Sequence, residues 1–464
     1  MKREKGKTLI GVAVLFAIPV LFYMFFALYD GPVICVDSPS YIEMSTSREP
    51  FYPAFLALFR MVFGGESDFY LKAVVVVQGL LTGYSTFSLV YFTYKESKVK
   101  YGIALLMTLI CLGTSIACRF LAQRGSMYST CIMTESICIP LFLLFSKRVL
   151  AYIVHKCRKD LIWAAIISLI LVTTRKQMYI SLFLLLFAIV YVQFTNENST
   201  PKRIWYAFLS VLIVLGCVVG ANKAFEYTYA NIISGESYSH FNDNRFLTTV
   251  VFYVSEEEDS ELLEDSEVRS LFTDIYRICD AEDSMMHSAA GSFGEKIQHF
   301  GEHYDMIQIN HMWPMTEEFV TKCHPEFSHI EREQLVDEIF DDISWSILPH
   351  VWTKALRVFL RNMVQGLVNT VGKATIRLMY PYALLVFGAY LILLIFSLIR
   401  KRYTFATIFA VYTLVAFFLN DGLVSALIFC QVRYMIYIMP LFYIALLLLI
   451  IDTFFTPKEV KVCE

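Results

Sequence analysis

What most constrains this chain is a recurrence of apolar runs, each about as long as a bilayer core is thick. A membrane-spanning helix needs about 20 apolar residues, with a range of roughly 17–25. Ten runs of this kind fall at about 8–29, 70–94, 101–119, 131–150, 161–176, 178–196, 204–223, 379–399, 403–424 and 433–454. Lipid offers no partner to a backbone N–H or C=O, so such runs are viable only as helices. Composition agrees: charged residues make up 17% of the 464, against about 25% in a soluble domain. The expected fold class is an all-α polytopic membrane protein of about 10 transmembrane helices. The fifth and sixth runs are short and nearly continuous at TTRKQMY. A tight hairpin and a pair of half-spanning helices are both open there.

The N-terminal MKREKGK precedes an apolar run longer than the roughly 7–15 residues of a signal peptide, and no small-x-small site follows it. It is read as a retained first helix. Lys and Arg then set the topology. Lys2, Arg3, Lys5 and Lys7 share a side with Lys95, Lys98 and Lys100, with Lys147, Arg148, Lys156, Arg158 and Lys159, with Lys202 and Arg203, with Arg400 to Arg402, and with Lys458 and Lys461. That side is expected to be the cytoplasm, with both termini on it. The sequon at Asn198 falls on the same side, where glycosylation is not expected.

Two regions on the opposite side exceed a turn, about 30–69 and about 224–378. The second holds roughly two thirds of the chain's 42 acidic residues. Its segments LLEDSEVRSLFTDIYRICDA and EREQLVDEIFDDISWSI are apolar at i, i+3 and i+4. VWTKALRVFLRNMVQGLV, at 351–368, reads as a cationic interfacial helix. The expected organisation is a transmembrane catalytic module at 1–223, a helical extracytoplasmic domain at 224–378, and further helices with a short cytoplasmic tail at 379–464. Of the 11 Cys, Cys279 and Cys323 lie in the polar region, and whether they form a disulfide is open.

Four constellations on the non-cytoplasmic side carry charge. Asp37-Ser38-Pro39-Ser40-Tyr41 follows the first helix, with Arg48 and Glu49 close behind. Asp37 is either a base near the membrane surface or a helix cap. Glu135 opens the fourth span; acids in spans are functional candidates by default, though the helix macrodipole also favours one in a first turn. Arg124 lies just before it. Arg175 and Lys176 break the positive-inside pattern at the hinge of the fifth and sixth runs. An anionic partner such as a phosphate and snorkelling to headgroups both account for them. Arg433-Tyr434 stands at the mouth of the last span, and an Asp421–Arg433 ion pair is the plain alternative. There is no Walker A, GxGxxG, HExxH or GxSxG motif, and no metal-ligand spacing among the His.

Taken together, VDSPSYIEMSTSREPFYPAF, MTESICIPLFLLF, TTRKQMY and QVRYMIYIMPLF resemble the GT-C superfamily of integral-membrane glycosyltransferases. The closest in style are the bacterial aminoarabinose transferases and protein O-mannosyltransferases. Many of those carry Asp-Glu where this chain has Asp37-Ser38. The resemblance implies sugar transfer from a polyprenyl-phosphate-linked donor on the extracytoplasmic face of the cell membrane, with inversion, to an acceptor hydroxyl on a glycan or lipid. It implies Asp37 as general base, Glu135 orienting the acceptor or a sugar hydroxyl, and Arg175, Lys176 and Arg433 around the donor phosphate, with Arg48 or Arg124 in reserve. Tyr41, Tyr52 and Tyr434 would contact sugar or acceptor. No cofactor is called for, a divalent metal is left open without support in the sequence, and nucleic acid is not an expected partner. Two alternatives are an O-antigen-type polymerase or ligase, leaning on Arg and His of a late loop, and a non-enzymatic lipid-glycan transporter. A transporter commonly shows inverted repeats and midplane charges, and neither is seen.

Overall fold

The computed structural model describes residues 2–46, 48–65, 69–122, 125–195, 200–234 and 245–455. Among these the chain is helical, with one isolated parallel bridge joining Val33 to Cys131. Among the described residues eight helices are long and apolar enough to cross a bilayer, so this is a polytopic helical membrane protein. Two of the ten expected spans are shorter than that. The run at 161–176 forms a helix of 17 residues, Arg158–Thr174. The run at 433–454 is broken: a short helix, Val432–Met435, ends in a turn, and Met439–Phe454 restarts with Pro440 in its first turn. Proline brings no N–H and disfavours helix in the residue before it, which accounts for the restart.

The chain forms two compact units. The first comprises Met1–Tyr238, Leu385–Asn420 and Ile436–Glu464. Its leading helices are α1 (Lys2–Tyr29), α2 (Ser38–Ile42), α3 (Phe51–Phe63), α4 (Phe69–Ser97), α5 (Tyr101–Leu121), α6 (Glu135–His155), α7 (Arg158–Thr174), α8 (Tyr179–Phe194) and α9 (Thr200–Thr228). α1 and α4 are in backbone contact. A Cβ on Gly83 would lie 2.7 Å from Val20 Cα, the small-residue approach that lets membrane helices pack closely. α7 and α8 form the tight hairpin of the two alternatives, with Ser168 Oγ 2.8 Å from Ser181 Oγ. α3 buries Tyr52, Pro53 and Leu56 and exposes Leu58, Met61 and Val62, as a helix at an interface would.

Short connections make α4 and α5, α6 and α7, and α7 and α8 run antiparallel. One end of the unit therefore gathers the C-termini of α1, α5 and α7 with the N-termini of α6 and α8. Three links tie that end together: Arg119 to Asp30 at 2.8 Å, Val33 to the 130–132 backbone, and Arg175 to Glu135 at 2.9 Å. The opposite end carries the basic turns, where Arg148 meets Asp160 at 2.8 Å and His155 lies 3.2 Å from Glu96.

The second unit comprises Ser239–Leu384 and Asp421–Met435. It holds α10 (Arg245–Val254), α11 (Ser266–Ala281), α12 (Phe293–Asp305), α13 (Trp313–Cys323) and α14 (His329–Val371). α14 fuses the expected EREQLVDEIF helix and the 351–368 interfacial helix into 43 residues, roughly 65 Å at 1.5 Å per residue. Ser328 and Glu331 close a capping box at its start, where each satisfies an amide of the other's end. Phe252, Phe272, Phe340 and Ile343 centre an apolar core. The described cysteines are all free thiols. Cys279 is buried and Cys323 exposed, so no disulfide joins them, and Cys157 and Cys217 are exposed as well. The sequon at Asn198 lies outside the described residues.

Candidate functional site

The site is built first from the loop after α1. Pro39 sits in the first turn of α2, where its fixed φ suits a helix start. Asp37 occupies the N-cap position, yet its side chain makes no capping bond. Its Oδ1 instead accepts from Arg48 Nη2 at 3.0 Å, with the two side chains 29% and 32% exposed. Arg48 also donates from Nε to Ser40 Oγ at 2.8 Å. Its guanidinium lies over the Tyr41 ring, 5.0 Å from the centroid. The capping alternative for Asp37 is therefore not the one adopted.

Ser38 is fully buried. Its Oγ donates to the Ile132 carbonyl at 2.8 Å and accepts from Cys35 N–H at 2.7 Å. Together with the Val33–Cys131 bridge, it fastens the Asp37 loop to the strand-like segment that leads into α6. The position beside Asp37 is thus a structural fastening aimed at backbone.

Glu135 is the first residue of α6 and is 0% exposed. Arg175 Nη1 lies 2.9 Å from its Oε1 and also donates to Thr134 Oγ1 at 2.9 Å. Thr134 Oγ1 in turn donates to Glu135 Oε2 at 3.2 Å. Arg175 is pulled in, with its side chain 15% exposed, and does not snorkel. The backbone at Arg175 is extended and ends α7, which turns the guanidinium back toward α6. Lys176 donates its backbone N–H to Glu49 Oε1 at 3.3 Å, and Gln177 Nε2 donates to Asn420 Oδ1 at 2.8 Å. The Arg48-Glu49 pair therefore divides its work, Arg48 to the Asp37 loop and Glu49 to the α7–α8 turn.

Tyr41 joins the two ion pairs. It is buried, with Arg48 over its ring and the Tyr52 ring edge-on at 5.3 Å. Burial pushes its hydroxyl up to about 12, opposed by the nearby Arg48 and Arg175 and aided by Glu135. Tyr52 is fully buried and packs between Tyr41 and Phe55. Tyr437, also buried, feels both Arg175 and Glu135.

The remaining expected residues lie elsewhere or beyond description. Arg433 and Tyr434 belong to the second unit, where Arg433 Nη2 donates to Tyr434 Oη at 2.7 Å and the guanidinium stands 4.8 Å over that ring. No ion pair joins Asp421 to Arg433 among the described residues. The Asp421 carboxyl accepts from Ser425 Oγ and Cys430 Sγ, each at 3.5 Å, and lies against Gly366, where a side chain would collide with it. Arg124 falls outside the described residues.

Sequence reasoning passed over Asp30 and Tyr437, and named Glu49 without giving it a role. Asp30 holds Arg119 at 2.8 Å and accepts from Met127 N–H at 3.2 Å. An acid at the mouth of the first helix, facing an Arg at the mouth of another, was the signal for it. No family model, curated protein or solved structure matches the chain.

Proposed function

We propose that the protein is a GT-C-type membrane glycosyltransferase that moves a sugar from a polyprenyl-phosphate-linked donor to an acceptor hydroxyl. The observation that carries this reading is the meeting of two carboxylate–guanidinium pairs, Asp37–Arg48 and Glu135–Arg175, around Tyr41 at one end of the helices. The distribution of Lys and Arg assigns that end to the extracytoplasmic side.

The two pairs differ in a way that suits the reaction. Asp37–Arg48 is partly exposed, so a phosphate can compete for Arg48, which binds such groups bidentately. Taking Arg48 breaks the ion pair with Asp37, whose carboxylate then accepts the proton of the acceptor hydroxyl. The acceptor oxygen then attacks the anomeric carbon while the bond to the phosphate oxygen breaks, and the phosphate leaves with that electron pair. Glu135–Arg175 is buried and bonded to Thr134, so its charges are already oriented before donor arrives. The exposed apolar side of α3, with Leu58, Met61 and Val62, gives a prenyl chain a surface beside the loop.

The test is a strain lacking the gene, complemented with the wild-type chain or with Asp37→Asn, whose envelope glycans and glycolipids are compared by mass spectrometry. Loss of a sugar that wild type restores and Asp37→Asn does not is the expected result. Full restoration by Asp37→Asn at matched protein level removes the proposed base and the reading with it.

A further inference from the structure

In the second unit, α10, α12 and α14 enclose a cavity of about 10 Å³, lined among others by Tyr253, Lys296, Phe300, Arg361 and Gln365. Arg361 Nη1 is buried there without a hydrogen-bond partner. A buried, unpaired donor, above all a charged one, is costly and calls for a reason. The unit is rich in acids, and several of its cations use them, while Arg269 and Arg332 donate to backbone carbonyls. Arg245 pairs with Glu333 and Asp337, Arg277 with Glu257, Lys322 with Glu318 and Lys354 with Glu256. Among the described residues neither Arg361 nor Lys296 has an ion pair. The Tyr253 hydroxyl at the same cavity is bonded to His299 Nδ1 at 3.0 Å.

We propose that Arg361 and Lys296 bind a phosphate-type anion at the junction of α10, α12 and α14. The cavity holds about one water-sized group, so one anion oxygen enters it and meets Arg361. The remaining oxygens stay at the mouth, where Lys296 is exposed. The phosphate of a net-anionic lipid headgroup, with no choline to neutralise it, and free inorganic phosphate present the same chemistry. The 351–368 part of α14, cationic and amphipathic, suits the first. This inference does not depend on glycosyl transfer and can stand or fall without it.

The experiment uses the full chain in nanodiscs and follows thermal unfolding by tryptophan fluorescence. One arm titrates inorganic phosphate into phosphatidylcholine discs; the other replaces part of the lipid with phosphatidylglycerol. A stabilising shift in the first arm identifies free phosphate, and a shift in the second alone identifies the headgroup. Lys296→Gln weakens the effect about tenfold, the usual scale of one charge-assisted contact, and Arg361→Gln abolishes it. Should Arg361→Gln fail to fold, the exposed Lys296 decides the matter. Arg357→Gln, an exposed charge on the same helix, leaves the shift unchanged. The proposal is overturned by no shift in either arm, by an undiminished shift in Lys296→Gln, or by an equal loss in Arg357→Gln.

Discussion

Arg175 reaches across 40 residues of sequence to hold the fully buried carboxylate of Glu135 at 2.9 Å. Removing one partner of a buried pair strands the other charge, which costs about 3–5 kcal/mol. Arg175→Ala is therefore expected to unfold in detergent at a markedly lower temperature than wild type. The double variant Glu135→Gln, Arg175→Gln keeps the shape without a stranded charge and should recover much of the loss. Additive destabilisation in that double variant would show that the two do not act as a pair.

Asp37 behaves oppositely. Its pair with Arg48 is about a third exposed, and such pairs contribute about 0–1 kcal/mol. Asp37→Asn should leave the unfolding temperature within a degree or two of wild type, since ~1 kcal/mol moves the midpoint of a large domain only slightly. Activity loss with unchanged stability is what a chemical role demands. A large drop in stability would assign Asp37 to the scaffold instead.

Ser38 is where the resemblance to Asp-Glu sequences invites a tempting substitution. Its hydroxyl makes two hydrogen bonds to backbone in a fully buried spot. Ser38→Ala is expected to cost about 1–3 kcal/mol through the two lost bonds to the Cys35 amide and the Ile132 carbonyl. Ser38→Glu should be worse, because an acid there is buried without a partner. A Ser38→Glu protein that folds normally and gains activity would contradict the fastening role.

His299 gives the second unit a pH dependence. Burial, with His303 next to it, lowers its pKa from the ordinary 6.5 to about 4, opposed by Asp283 and aided by Arg361. Above 6.5 the ring is neutral whether folded or not. As pH falls from 6.5 to 4 the unfolded chain takes up a proton that the folded chain does not, so stability declines across that window. His299→Gln should flatten this part of the stability profile, measured by denaturation between pH 7 and pH 4. An unchanged slope would mean that other groups set it.

Much of the fold was legible in the sequence because spanning helices announce themselves through length and apolarity, and the alternation of Lys and Arg follows from it. The charges at loop mouths were legible for the same reason: Asp37 and Glu135 stood out as acids at the ends of apolar runs, and Arg175 as a cation against the positive-inside pattern. Their pairing was not. Whether Arg175 faces a headgroup or Glu135 depends on the backbone at 175 turning extended and on α7 packing against α6, neither of which is written in the local pattern. Likewise Ser38 looked like a missing acid because its partners, the Ile132 carbonyl and the Cys35 amide, are backbone groups that leave no trace in side-chain identity. The fused 43-residue helix was missed because its two halves differ in polarity, although no stop signal separates them and Pro349 is accommodated inside.

The distribution of thiols has a practical consequence. Cys157 is exposed at the turn between α6 and α7, and Cys323 is exposed at the end of α13. Neither is locked in a disulfide, and one sits among the basic turns while the other belongs to the acidic unit. With Cys217, exposed on α9, the wild-type chain thus carries its own chemical reporters. A maleimide too polar to cross a bilayer, applied first to sealed vesicles and then to opened ones, would read which face each thiol occupies without a single engineered residue.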